Sequence, residues 1–177
     1  MEREVKTYRI LLRAAELEVK RAQEEEEGTF FMRIHTILLL AFAVEAHMNH
    51  VGLSREPDWN DVERTKYRTQ VSKRSAYLEW AGIDESDDRV VQLIRLFECR
   101  DQLAHGKTVT LNLDGDGPRF EMAGIAFPSQ DWEQVASSPS ELGAIWECCV
   151  SLMGDAHQRV FDAALAAGAP WSAHGYV

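Results

Sequence analysis

Arg89-Val-Val-Gln-Leu-Ile-Arg-Leu-Phe-Glu-Cys-Arg-Asp-Gln-Leu-Ala-His-Gly-Lys107 decides how this chain is read, because an apolar helix face within it runs straight into a dense polar cluster. Val90, Leu93, Ile94, Phe97 and Leu103 recur at helical spacing. Arg100, Asp101 and His105 share the last turn and a half, and Gly106 stands where a left-handed C-cap residue would end the helix. Cys99, next to Arg100, reads better as a small buried apolar group than as an activated thiol.

The same period recurs on both sides of this stretch. Val5, Tyr8, Leu11, Leu12, Ala15, Val19 and Ala22 form an amphipathic stripe over residues 3 to 27. Glu24 to Glu27 crowd four like charges at its negative end, so fraying is expected before Gly28. Residues 29 to 51 are apolar on most sides and predict a buried central helix. Arg33, His35, Glu45 and His47 interrupt that run, whereas a membrane span needs about 20 predominantly apolar residues. Glu45 and Asn49, four apart, are placed to face one partner.

Asn60 as an N-cap, with Glu63 three residues on, starts a short helix. Ser72 and Ser75 offer a second start, and Gly82 an end, so residues 58 to 82 predict one or two short helices. Ser138-Pro-Ser-Glu141 is a capping box with proline at the first helical position, and Gly168 followed by Pro170 closes the same helix. Between them Leu142, Ile145, Trp146, Cys149, Leu152, Met153, Ala156, Val160 and Ala163 make a long packing stripe.

Only after Lys107 does the period change. Val109, Leu111 and Leu113 alternate with Thr108, Thr110 and Asn112, a turn-rich run follows from Asp114 to Pro118, and Phe120 and Met122 alternate again. This pattern predicts a β-hairpin near 108–125, which two strands alone would barely stabilise and which must therefore pack on a helical body. The expected fold is mainly all-α, a helical bundle with that inserted hairpin, in a single domain spanning residues 1–177.

A chain of 177 residues suits one domain, and a compact fold of that size buries roughly 70% of its unfolded surface. With 19 basic and 29 acidic residues the net charge is −10, which opposes non-specific binding to phosphate backbones or anionic membranes. A nucleic-acid site must then be local. Arg64, Lys66, Arg68, Lys73 and Arg74 supply one basic island with no acidic residue between its ends. The start of the chain has no secretory signal pattern, and three cysteines make no even-numbered disulfide framework. A cytoplasmic protein is expected, with no membrane partner and no cofactor.

Other chemistries find weak support. Asn112-Leu-Asp114-Gly-Asp116-Gly117 imitates the first half of a calcium-binding loop, but its twelfth position is Ala123 rather than a bidentate glutamate. His47 and His50 lie three apart on a helix without an identifiable third metal ligand. Gly52-Leu-Ser-Arg55 lacks the second glycine of a nucleophile elbow, and no phosphate-cradling glycine loop is present.

Arg100 and His105 differ in kind. A guanidinium holds two phosphate oxygens in a planar fork, and an imidazole moves protons near neutral pH. Asp101, four residues before His105, is spaced to reach it and fix its tautomer.

Arg100-Asp-Gln-Leu-Ala-His-Gly106 resembles the Arg-polar-x-x-x-His signature of the HEPN superfamily of small all-α domains. Ala43-Val-Glu-Ala-His-Met-Asn49 is similar to that family's second helix, and Lys73-Arg-Ser-Ala-Tyr-Leu-Glu-Trp-Ala-Gly-Ile83 to the helix before the signature, so the likeness covers about residues 29 to 106. The resemblance implies a bundle that forms a homodimer with two signatures face to face. It also implies a metal-independent endoribonuclease, toxin-like or defence-related, acting on RNA and partnered by an antitoxin or another protein. Arg100, His105 and Asp101 would then be catalytic, with Lys107 and the basic island (Arg64, Lys66, Arg68, Lys73, Arg74) contacting the strand. The expected hairpin departs from the plain bundle. The alternative is a non-catalytic RNA-binding or protein-interaction module that docks through exposed tryptophans such as Trp59 or Trp171.

Overall fold

The computed structural model describes residues 5–25, 27–111, 119–122 and 125–166. The protein is mainly α-helical. Thr7–Glu24 forms α1, Thr29–Arg55 α2, Trp59–Thr65 α3, Gln70–Ala81 α4, Asp88–His105 α5, Asp131–Ser137 α6 and Pro139–Ala166 α7.

By length and composition alone α2 would suffice to cross a membrane. In the fold it is the central element, in contact with each of the other six helices described. Ile37, Leu40, Ala41, Val44, Met48 and Val51 are buried along it. They meet Tyr77 and Leu78 of α4, Leu93 and Leu96 of α5, and Ile145 and Leu152 of α7 in one core. Each such large side chain contributes about 1.5–3 kcal/mol on leaving water. Removing α2's partners would therefore expose most of the core at once.

The element boundaries follow local chemistry, with several corrections to the sequence-based expectation. α4 begins one cap earlier than Ser72. The Thr69 hydroxyl accepts the Ser72 N–H at 3.1 Å, and the Ser72 hydroxyl accepts the Thr69 N–H at 3.2 Å, so Ser72 is the third helical residue of a reciprocal box. Gly82 ends that helix in the left-handed region, at φ 60°. α7 starts as expected, with the Ser138 hydroxyl accepting the Glu141 N–H at 3.3 Å; Gly168 and Pro170 lie outside the described residues.

Asn60 does not cap α3, because the helix already begins at Trp59. Trp59 is only 2% exposed, which also corrects its expected role as an exposed docking residue; Trp171 lies outside the described residues. Its indole lies against α2 at Gly52, where an added Cβ would come within 2.6 Å of three ring carbons. With Tyr67 and Ala76 it forms a small second core that pins α3 to α4. Burial of the indole, not a capping hydroxyl or amide, sets where α3 starts.

Gly106 is not a left-handed cap either; its φ is −52° and ψ 128°. Glycine is required there for a different reason, since a Cβ would sit 2.6 Å from the Gln102 carbonyl oxygen.

The hairpin expected near 108–125 is not formed with residues 108–111 in its first strand. Residues 107–111 are exposed and have no regular structure, and 112–118, with the calcium-like loop, lie outside the described residues. A shorter antiparallel pair forms later. Arg119–Met122 (β1) runs beside Ile125–Pro128 (β2), with Arg119 opposite Pro128 and Met122 opposite Ile125. Alternation identifies which residues share a face but not which strand pairs with which. Here the shorter loop closure prevails over pairing across the longer 114–118 run.

Candidate functional site

The signature segment occupies the end of α5, and ionic clamps fix that helix. At its start the Asp87 carboxylate accepts the Arg89 N–H at 2.9 Å as a cap, and the Arg89 side chain holds its carboxyl down to about 2. The Arg89 guanidinium reaches α7, donating to Asp155 at 2.7 Å and to Ser151 at 2.9 Å. Two turns on, Arg95 donates to both oxygens of Asp131 on α6 and to Glu141 on α7 at 2.6 Å. Hydrogen bonding to these carboxylates holds the Arg95 guanidinium above its ordinary range. Cys99 is buried, and desolvation pushes its thiol up to about 12, so it is not an activated nucleophile.

Beyond this anchor, Arg100 enters a network drawn from four helices. Its guanidinium packs on the Phe97 ring at 5.5 Å and is 16% exposed. Glu45 of α2 lies 3.8 Å from its Nη1, and Asp101 lies 3.0 Å from its Nε without an aligned hydrogen bond. The other Glu45 oxygen is 3.6 Å from Lys73 Nζ on α4, and Lys73 also donates to Glu63 of α3 at 2.5 Å. Glu63, Lys73, Glu45, Arg100 and Asp101 thus alternate in sign along one chain of contacts, and three carboxylates face two cations.

This network corrects two expectations. Asp101 sits against Arg100 and makes no bond to His105 among the described residues. Their four-residue spacing permits contact, but the adjacent guanidinium offers a full positive charge at closer range. Lys73 does not line a strand path; its side chain is 8% exposed and is held between two glutamates.

His105 ends α5 with its ring exposed, and Lys107 follows, also exposed. Arg64 and Arg68 of the basic island face solvent, Lys66 lies 4.8 Å over the Tyr67 ring and 3.7 Å from Glu56, and Arg74 is half-buried. The fold therefore brings Arg100, Asp101, Glu45 and Lys73 together, and leaves His105, Lys107, Arg64 and Arg68 on the surface.

A second polar cluster is largely invisible in the sequence. His47 is buried and its Nδ1 lies 2.9 Å from the Tyr77 hydroxyl. His157 of α7 comes within 5.8 Å of the His47 ring and stacks on His50 at 6.1 Å, with Tyr8 of α1 4.9 Å from His47. Burial, reinforced by His157 and His50, lowers His47 to about 3. No three histidine, cysteine or acidic groups among the described residues are placed to hold a metal. The signal for His157 was its position one residue after the buried Ala156 on the α7 stripe, but nothing local linked it to residues more than a hundred positions earlier.

One cleft of about 260 Å³ opens between α1 and α7, bounded by Val19, Arg33, Leu142 and Trp146. Arg33 is already used there, donating to the Ala136 carbonyl at 2.5 Å and to Thr29 at 3.2 Å. Comparison with protein-family models, with curated proteins and with solved structures finds no match for this chain.

Proposed function

We propose that the protein is a metal-independent endoribonuclease of HEPN type, toxin-like or defence-related, working at a site built from Arg100 and His105 in a symmetric dimer. The observation that carries this reading is the pairing of a fixed guanidinium with an open imidazole at one helix end. Arg100 is held by Glu45, Asp101 and the Phe97 ring, while His105, little more than a turn further on, faces solvent.

In this reaction His105 takes the proton of a ribose 2′-OH, the freed oxygen attacks the adjacent phosphorus, and the P–O5′ bond breaks. The second subunit's imidazolium protonates the departing O5′, leaving a cyclic phosphate and a 5′-OH. Arg100 stabilises charge on the phosphorane. A single chain supplies one Arg and one His, whereas a two-fold axis supplies two of each. Asp101, set against the guanidinium, positions Arg100. Lys107, Arg64 and Arg68 remain exposed to meet single-stranded or looped RNA.

A second reading rests on the same network. Arg100 is already balanced by Glu45 and Asp101, and Lys73 is spent between Glu45 and Glu63. Such a network suits an ionic lock joining α2, α3, α4 and α5 in a non-catalytic module that binds RNA or a protein partner, an antitoxin included.

Incubating mixed cellular RNA in EDTA with wild type, His105→Ala and Arg100→Ala, beside a 2′-deoxy control, separates the two. The nuclease reading expects cleavage by wild type alone, a loss of about 10²–10⁴ in rate without His105 and about 10²–10³ without Arg100. Equal cleavage by wild type and His105→Ala, or none by any protein across diverse RNAs, sinks it in favour of the module.

A further inference from the structure

The cleft of about 260 Å³ between α1 and α7 is walled mainly by small and apolar side chains. Leu142, Gly143 and Trp146 come from one face of the first two turns of α7, at helical spacings of three and four, and Val19 and Ala22 come from the last turns of α1. Gly143 keeps the gap open. A Cβ there would meet nothing within 4 Å, so the space that a side chain would fill is left to the cleft.

The charge in this apolar setting is Arg33 of α2, which is partly buried. Its Nε donates to the Ala136 carbonyl and its Nη2 to the Thr29 hydroxyl, and these bonds fix the plane of the guanidinium. Nη1 donates to nothing among the described residues. Arg89, Arg95 and Arg100 are also partly buried, and each lies against a carboxylate. Arg33 forms no ion pair among the described residues, and burial pulls its guanidinium below the ordinary range. A cation withdrawn from water is ordinarily balanced by an anion. The chain holds 29 acidic residues against 19 basic, so the missing partner does not reflect a shortage of acids.

We infer that this cleft binds a small organic monocarboxylate with a flat apolar body, its carboxylate on Arg33 and its body against Trp146 and Leu142. Nη1 then gains a charge-assisted hydrogen bond, and an aromatic or planar body stacks on the indole. An inorganic anion would leave Val19, Leu142 and Trp146 exposed to water and gain nothing from them. Glu147, exposed on the rim of the same cleft, opposes a second negative charge, which disfavours dicarboxylates and phosphate monoesters. The volume falls just under the roughly 300–1,000 Å³ of sites for drug-sized ligands, so a body of about a dozen non-hydrogen atoms fits. No residue of the Arg100 to His105 site takes part, and the cleft stands whether or not the protein cleaves RNA.

Isothermal titration calorimetry of the full chain with 2-naphthoate, with its neutral amide and with acetate tests this on wild type, Arg33→Met and Gly143→Leu. Wild type should take up one 2-naphthoate per chain with a dissociation constant of about 0.05–1 mM, the range open to a ligand of that size. The amide on wild type, and 2-naphthoate on Arg33→Met, should each bind roughly 10- to 100-fold more weakly, because each lacks one side of the charged pair. Acetate, which has no apolar body, should show no uptake at about 5 mM. Gly143→Leu places a side chain in the gap and should abolish binding. Leucine is favoured over glycine in a helix, so this variant keeps the fold and carries the test if Arg33→Met loses stability, which circular dichroism checks. No uptake of 2-naphthoate by wild type at about 5 mM overturns the inference. So does equal affinity for acid and amide, acetate binding as tightly as 2-naphthoate, or undiminished binding to folded Arg33→Met or to Gly143→Leu.

Discussion

Replacing Gly52 with alanine should destabilise the protein, while the same replacement at Gly154 should stabilise it. In a helix interior alanine is favoured over glycine by roughly 1 kcal/mol. At Gly154, exposed on α7, an added Cβ meets nothing within 4 Å, so that gain is realised in full. Gly52 has the same backbone preference but faces the Trp59 indole, where the Cβ would stand 2.6 Å from Cδ2, Cε2 and Cε3. Ordinary carbon contacts lie at about 3.5–4.0 Å, so the ring would have to retreat by about 1 Å. It has little room, being stacked on Tyr67 at 5.5 Å and met edge-on by Trp80 at 5.8 Å. Overpacking costs about 1–3 kcal/mol, and a clash on three ring atoms belongs at the upper end, leaving a net loss of about 2 kcal/mol after the helical gain. At about 2–4 °C per kcal/mol for a chain of this size, Gly52→Ala should melt roughly 4–8 °C lower and Gly154→Ala about 2–4 °C higher. Thermal unfolding followed by circular dichroism, with tryptophan fluorescence reporting the indole, measures both. A Gly52→Ala protein that melts at or above the wild-type temperature would refute the argument that glycine is needed for the α2–α3 contact.

Three further outcomes are expected. Arg95→Met removes the cation shared by Asp131 and Glu141 and should cost about 2–3 kcal/mol in urea unfolding; a loss under 0.5 kcal/mol would show that α6 and α7 do not depend on it. His47 is held neutral by burial, so protons bind the unfolded chain more readily. Its contribution is complete above the unfolded value of about 6.5 and is lost as pH falls from there toward about 3, and a His47→Gln protein should show a shallower decline in stability over that window. His105→Ala, at an exposed helix end, should stay within about 0.5 kcal/mol of wild-type stability while Arg100→Ala loses more, which circular dichroism melts can rank and which makes His105 the cleaner probe of cleavage.

The amino-acid sequence determined the local elements, because helical period and terminal chemistry act over a few residues. The stripe from Val90 to Phe97, the apolar run of α2 and the Ser138 to Glu141 box each needed no distant partner to be read, and the helices lie where these placed them. Close rivals were separated less well. Thr69 and Ser72 are both capable caps, and only the reciprocal bonds choose between them.

Tertiary structure alone decided the rest, since ionic and aromatic partners are set by where helices cross. Lys73 read as part of a basic island until α2 and α3 brought Glu45 and Glu63 to it, and Asp101 read as His105's partner until the Arg100 guanidinium lay nearer. Trp59 changed from an exposed candidate to a core residue because Gly52, seven positions earlier on another helix, leaves room for it. The histidine cluster joins α2 to α7 across more than a hundred residues. A charge or ring carries no local signal of its partner, and its energy depends on distance and solvent exposure, which the sequence leaves open until the chain has packed.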